Sequence, residues 1–86
     1  MGTSLQVIPG IGKKMEKHLQ SIGYNFVEDL ENENPDDIYN KHCIHDGHQV
    51  DRCCLYAYRL CVAFANAKAR GEELDEKQLL WYNWKD

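Results

Sequence analysis

No apolar run in this chain approaches the roughly 20 residues of a membrane-spanning helix, so no membrane partner is expected. No stretch alternates apolar and polar residues long enough for a convincing strand, which leaves an all-helical reading. The start, Met1-Gly2-Thr3-Ser4-Leu5-Gln6, has neither a cationic n-region nor a long apolar h-region, so it does not read as a secretory signal. Gln6 also breaks the myristoylation pattern. Positive charge is scarce: ten basic residues stand against fourteen acidic ones, a net charge of −4 that argues against a strong nucleic-acid binder. Cysteine spacing suited to a disulfide framework is missing too. Cys53 and Cys54 are adjacent, and Cys61 lies seven beyond Cys54 on the same helix face. Reduced thiols in a cytoplasmic protein fit that arrangement better than secreted staples do.

What is present is one small domain's worth of chain, 86 residues with 43% hydrophobic content, ordinary for a globular fold. The only prolines, Pro9 and Pro35, read as helix-start punctuation. A short helix is predicted around Ser4–Ile8. A second is predicted over Gly12–Ser21, where Met15, Leu19 and Ile22 recur at helical spacing and Gly23 follows as a cap. Phe26–Leu30 gives a short helical turn. Asn34-Pro35-Asp36-Asp37 supplies an N-cap, a proline and first-turn acids to a helix reaching about Ile44, after which His45-Asp46-Gly47-His48 breaks the pattern. The longest helix is predicted over Arg52–Ala69, with Arg52, Arg59, Asn66 and Arg70 drawing one narrow wet stripe on an otherwise apolar surface. Such a helix is either the centre of the bundle or part of a subunit contact. A last short helix is predicted from Asp75 through Trp81. The tail Trp81-Tyr82-Asn83-Trp84 is aromatic enough to fold back onto the domain.

The most informative stretch is Leu5-Gln-Val-Ile-Pro-Gly-Ile-Gly-Lys-Lys-Met15. Two glycines two apart permit a tight turn and close approach of a bound group to the backbone. A helix starting directly after them points unpaired N–H groups and a positive dipole end outward, which suits a phosphate. Lys13, Lys14 and Lys17 against Glu16 make the first twenty residues +2, while the remaining seven basic and thirteen acidic residues make the rest −6. The chain's positive charge is therefore concentrated at the turn. A weaker echo, Gly47-His48-Gln49-Val50, lies 37 residues after Gly10 and lacks a second glycine.

Leu5, Ile8, Pro9-Gly10-Ile11-Gly12, Met15 and Leu19 resemble the helix-hairpin-helix motif of DNA-binding proteins that do not read base sequence. Over most of the chain, Asn34-Pro35-Asp36-Asp37-Ile38-Tyr39, Asp51-Arg52-Cys53, Tyr56-Ala57-Tyr58-Arg59 and Leu80-Trp81-Tyr82-Asn83-Trp84-Lys85-Asp86 are similar to the small bacterial pathogenicity locus family. The residue pattern predicts an all-α, compact bundle of five or six helices, one domain over residues 1–86 with an aromatic tail at 79–86, and the resemblance implies a SAM-like helix-hairpin-helix fold with the hairpin at about 5–20. It also implies DNA-phosphate contact by the amides of Gly10, Ile11, Gly12 and Lys13, with Lys14 beside them; Lys17 adds to the local charge. Some proteins with this motif hold a monovalent cation through hairpin carbonyls. Tight binders of the class present two hairpins, so a homodimer would supply the second.

Other constellations are weaker. Cys43, His45, His48 and Cys53 offer two thiols and two imidazoles, the ligand types of zinc, but C-x-H-x2-H-x4-C matches no zinc pattern and no metal is expected there. His42 adds little, because adjacent helix residues point apart. Cys43 with His45, or Cys53 with His48, lacks an orienting third group and an oxyanion hole. No enzyme and no cofactor are expected. The expected function is weak DNA binding through backbone phosphates. The alternative is a protein–protein adaptor that uses the long helix and the aromatic tail.

Overall fold

Helix-capping chemistry sets the frame. In the computed structural model, which describes residues 2–84, three α-helices and three 3₁₀ turns follow one another: a turn at Leu5–Val7, α1 over Lys13–Ser21, a turn at Val27–Leu30, α2 over Pro35–Asp46, α3 over Arg52–Ala69, and a turn at Trp81–Trp84. The expected five or six helices are thus three, with 3₁₀ turns where the short helices at Ser4–Ile8 and Phe26–Leu30 were expected and a third at Trp81–Trp84, at the end of the Asp75–Trp81 segment. Runs of three or four residues are too short to repay the cost of nucleating an α-helix. No strand forms among the described residues; Ser4 and Phe26 make one isolated antiparallel bridge. Among the described residues, no helix is long and apolar enough to cross a membrane.

α2 starts as its sequence dictates: the Asn34 side chain accepts from the Asp36 N–H at 2.9 Å, and Pro35 takes the first helical position. It runs two residues past Ile44, so His45 and Asp46 are its last turn rather than a break. The stop comes at Gly47, where φ is +76°. The Gly47 N–H donates to Ile44 O and the His48 N–H to Cys43 O, both at 3.2 Å, the paired bonds of a Schellman cap. Gly47 therefore ends α2 as its C-terminal cap.

α3 is the centre of the molecule. Asp51 caps it through the Cys53 N–H at 3.1 Å. Leu55, Tyr58, Leu60, Cys61, Val62 and Ala65 are buried along it, packed with Ile38 and Tyr39 of α2, Val27 and Leu30 of the second 3₁₀ turn, and Leu5, Ile8 and Leu19 from the N-terminal segment. Its wet stripe is not simply solvated. Asn66 Oδ1 accepts from the Asn32 N–H at 2.7 Å and holds that residue at φ +61°. Arg59 Nη1 donates to Trp84 O at 2.7 Å, and its guanidinium lies 5.6 Å from the Tyr56 ring centroid.

The C-terminal segment departs from the expected helix. Asp75 and Gln78 form a reciprocal capping box, Asp75 N–H to Gln78 Oε1 at 3.0 Å and Gln78 N–H to Asp75 Oδ1 at 2.8 Å. Only one turn follows, and the chain then bends into Trp81–Trp84. Trp84 is half-buried against the core, and its Nε1–H donates to Gln78 O at 2.7 Å, so the tail does fold back there. Lys85 and Asp86 of the aromatic tail lie outside the described residues.

Candidate functional site: the Pro9–Lys17 turn and the groove beneath it

Leu5 and Ile8 on one side and Ile11 and Leu19 on the other are buried, and they anchor both arms of the turn. Between them Pro9, Gly10 and Gly12 stand exposed. The Ile11 N–H donates to Ile8 O at 3.1 Å, closing a four-residue turn with proline second and Gly10 third at φ +85°, the type II pattern. Gly10 is demanded by that φ.

Gly12 is not demanded by anything inside the chain. It is the N-cap of α1 in extended backbone, φ −92° and ψ −176°, which any residue adopts. A Cβ added there would meet no atom within 4 Å. No side chain caps the helix, so its first amides face outward without an internal side-chain acceptor. Lys13, Lys14 and Lys17 are all exposed around these amides. The one acid on α1, Glu16, accepts from Gln6 Nε2 at 2.9 Å and ties the helix back to the first arm. A left-handed Gly10, an open Gly12, uncapped amides and three cations thus share one surface.

Beneath this surface a groove of about 460 Å³ runs between α1 and α2. Gly12, Lys14 and Met15 line one side, and His18, His42 and Asp46 lie along it. His42, to which adjacent helix residues lend little, is, among the described residues, the buried polar side chain of the core, 2% exposed. Its signal was there: it lies four residues after the buried Ile38 and four before Asp46, on the inward stripe of α2. Tyr58 Oη lies 2.7 Å from its Nδ1, and the His18 ring packs against it in a tilted arrangement, 4.5 Å between centroids. Its Nε2 is 3.1 Å from Asp46 Oδ2 but makes no hydrogen bond of acceptable geometry. Burial, reinforced by the neighbouring His18, lowers the His42 pKa, and Asp46 opposes that only partly.

The cysteines and histidines singled out in the sequence are dispersed. Cys43 is half-buried, with its Sγ accepting from the Val50 N–H at 3.5 Å. His45 is exposed and turned to Asp46, and His48 is exposed and turned to the Gln49 carbonyl. Cys53 is exposed on the first turn of α3. Among the described residues, the ligand-type side chains that converge in a group of three are His18, His42 and Asp46. Burial pushes the thiols of Cys53, Cys54 and Cys61 upward, to about 11 for Cys54 and about 12 for Cys61. That is the opposite of the activation a nucleophilic thiol needs.

A family model described as Cdd1, pathogenicity locus, matches residues 2–86. No curated protein and no solved structure matches the chain.

Proposed function

The chain belongs to the pathogenicity locus family, and we propose that it is a small non-enzymatic module that binds DNA weakly through backbone phosphates, without reading base sequence. In this reading the Leu5–Val7 turn, the Pro9–Gly12 loop and α1 are a helix-hairpin-helix motif. Gly10, Ile11, Gly12 and Lys13 offer backbone amides, and Lys13, Lys14 and Lys17 supply charge. The observation that carries the reading is Gly12. Neither φ nor packing within the chain calls for glycine there, yet its absent side chain leaves the amides of α1 open to a large external group.

With two to four phosphates engaged, binding falls as salt rises, with a log–log slope of about −0.9 per phosphate neutralised on duplex DNA. The acidic remainder of the chain keeps affinity modest. Two copies would present two hairpins, so a homodimer on DNA belongs to the same proposal. The adaptor alternative has less to draw on, because the apolar face of α3 and Trp84 are spent inside the fold.

Fluorescence anisotropy of labelled duplex and single-stranded DNA at low salt tests this. The native chain should bind with clear salt sensitivity, and Lys13→Glu/Lys14→Glu should abolish binding. Equal binding by the double variant, or no salt-sensitive binding by the native chain, defeats the proposal.

A further inference from the structure

We propose that His18, His42 and Asp46 form a binding site for a divalent transition-metal ion of the Zn²⁺ type, joining α1 to α2. One ligand atom from each residue lies within 4.8 Å of the others. Around a tetrahedral zinc with bonds of about 2.0–2.1 Å, neighbouring ligand atoms are separated by about 3.3 Å. His42 Nε2 and Asp46 Oδ2, at 3.1 Å, already have that separation. His18, half-buried on α1, offers the third ligand atom, within 4.8 Å of the other two.

The second observation is the state of His42. Tyr58 Oη, at 2.7 Å, satisfies Nδ1 whichever tautomer is present, since a phenol can donate or accept. Nε2 is then left buried without a hydrogen bond of good geometry, although it lies 3.1 Å from the Asp46 carboxylate as an ion-pair neighbour. A buried polar atom in that condition is costly. A cation placed between Nε2, the Asp46 carboxylate and the His18 ring resolves it. The Nε2 lone pair and the carboxylate then face the same positive charge, and the Nδ1–H donates to Tyr58. A phenol held against the far nitrogen is the kind of outer-shell partner that fixes a ligating imidazole in place. Two imidazoles and one carboxylate leave a fourth position open to the groove, which has room for water or an anionic ligand.

The site differs from the hairpin carbonyls and from the Cys43–Cys53 region, and its test does not involve DNA. Zn²⁺ titrated into the metal-free full chain should bind once per chain and raise the melting temperature. His18→Ala and Asp46→Asn alter side chains outside the core, so both should fold, and each should weaken binding by more than about tenfold. His42→Ala is not needed for the result. Co²⁺ in place of Zn²⁺ should give visible d–d bands without the near-ultraviolet thiolate charge-transfer band. Absence of Zn²⁺ binding by the native chain, full binding by His18→Ala, or a thiolate band in the Co²⁺ complex would each overturn the proposal.

Discussion

His42 Nδ1 and Tyr58 Oη lie 2.7 Å apart in the interior, joining α2 to α3 by a polar contact within an apolar core. Removing the phenol oxygen leaves a buried imidazole nitrogen without its partner. Tyr58→Phe should therefore destabilise the fold by about 1–3 kcal/mol, read as a lower urea midpoint with an unchanged m-value.

The same histidine gives stability a pH dependence. Its folded pKa lies below the usual 6.5 because it is buried, with His18 adding to the shift and Asp46 opposing it. The unfolded chain then takes up the proton first as pH drops. Stability from this group is complete above about pH 6.5 and declines as pH falls toward the depressed folded value. His45, His18, Asp46 and Tyr58 are the titratable groups facing it. Urea midpoints measured between pH 7.5 and 5 should fall for the native chain, and the fall should be shallower in His42→Gln.

Gly47 and Gly12 invite a paired experiment. A Cβ at either meets open space, but only Gly47 has a positive φ. Gly47→Ala should cost about 1–2 kcal/mol from backbone strain alone. Gly12→Ser should leave stability within a few tenths of a kcal/mol, since serine is a good N-cap. On the proposed function it should nonetheless weaken DNA binding, because the new side chain occupies the approach to the amides. Thermal melts and anisotropy on the same two proteins separate these outcomes.

Asn66 offers a test of the stripe on α3. Its side chain holds the Asn32 N–H, and loss of that bond in Asn66→Ala should cost about 0.5–1.5 kcal/mol. A neutral result in a denaturant titration would mean that this residue is merely solvated, as its place in the polar stripe suggested.

Capping signals made much of this architecture readable. Asn34-Pro35 and Asp51 announce α2 and α3 because a short polar side chain before a helix satisfies an amide locally, needing no knowledge of the rest of the fold. The glycine turn was readable for the same reason: Gly10 expresses a backbone demand. The spacing of His42 from Ile38 placed it on the inward stripe of α2, but its role was not readable, because that depends on Tyr58, sixteen residues away, and on His18 from another helix. The tail misled for a related reason. Asp75 and Gln78 do form the expected start, but Arg59 and Gln78 draw Trp84 back across the fold and end the helix there. Tertiary contacts override local preference at that point.

The Glu28 carboxylate takes the Thr3 N–H on one side and Lys68 at 3.3 Å on the other, and the former bond pulls its pKa down to about 2. It acts as a latch between the first residues of the chain and the last turn of α3. With the latch closed, Leu5 and Ile8 stay seated and the glycine turn is presented in one orientation. Opening it would release the N-terminal arm as a unit while α3 remains folded, a sub-global motion distinct from unfolding. Amide exchange at Thr3 and Val27, whose N–H donates to Thr3 O, should thus run faster than at Leu60 and should quicken further in Glu28→Gln. One half-buried acid thus ties the arm that carries the turn to a helix end some distance away.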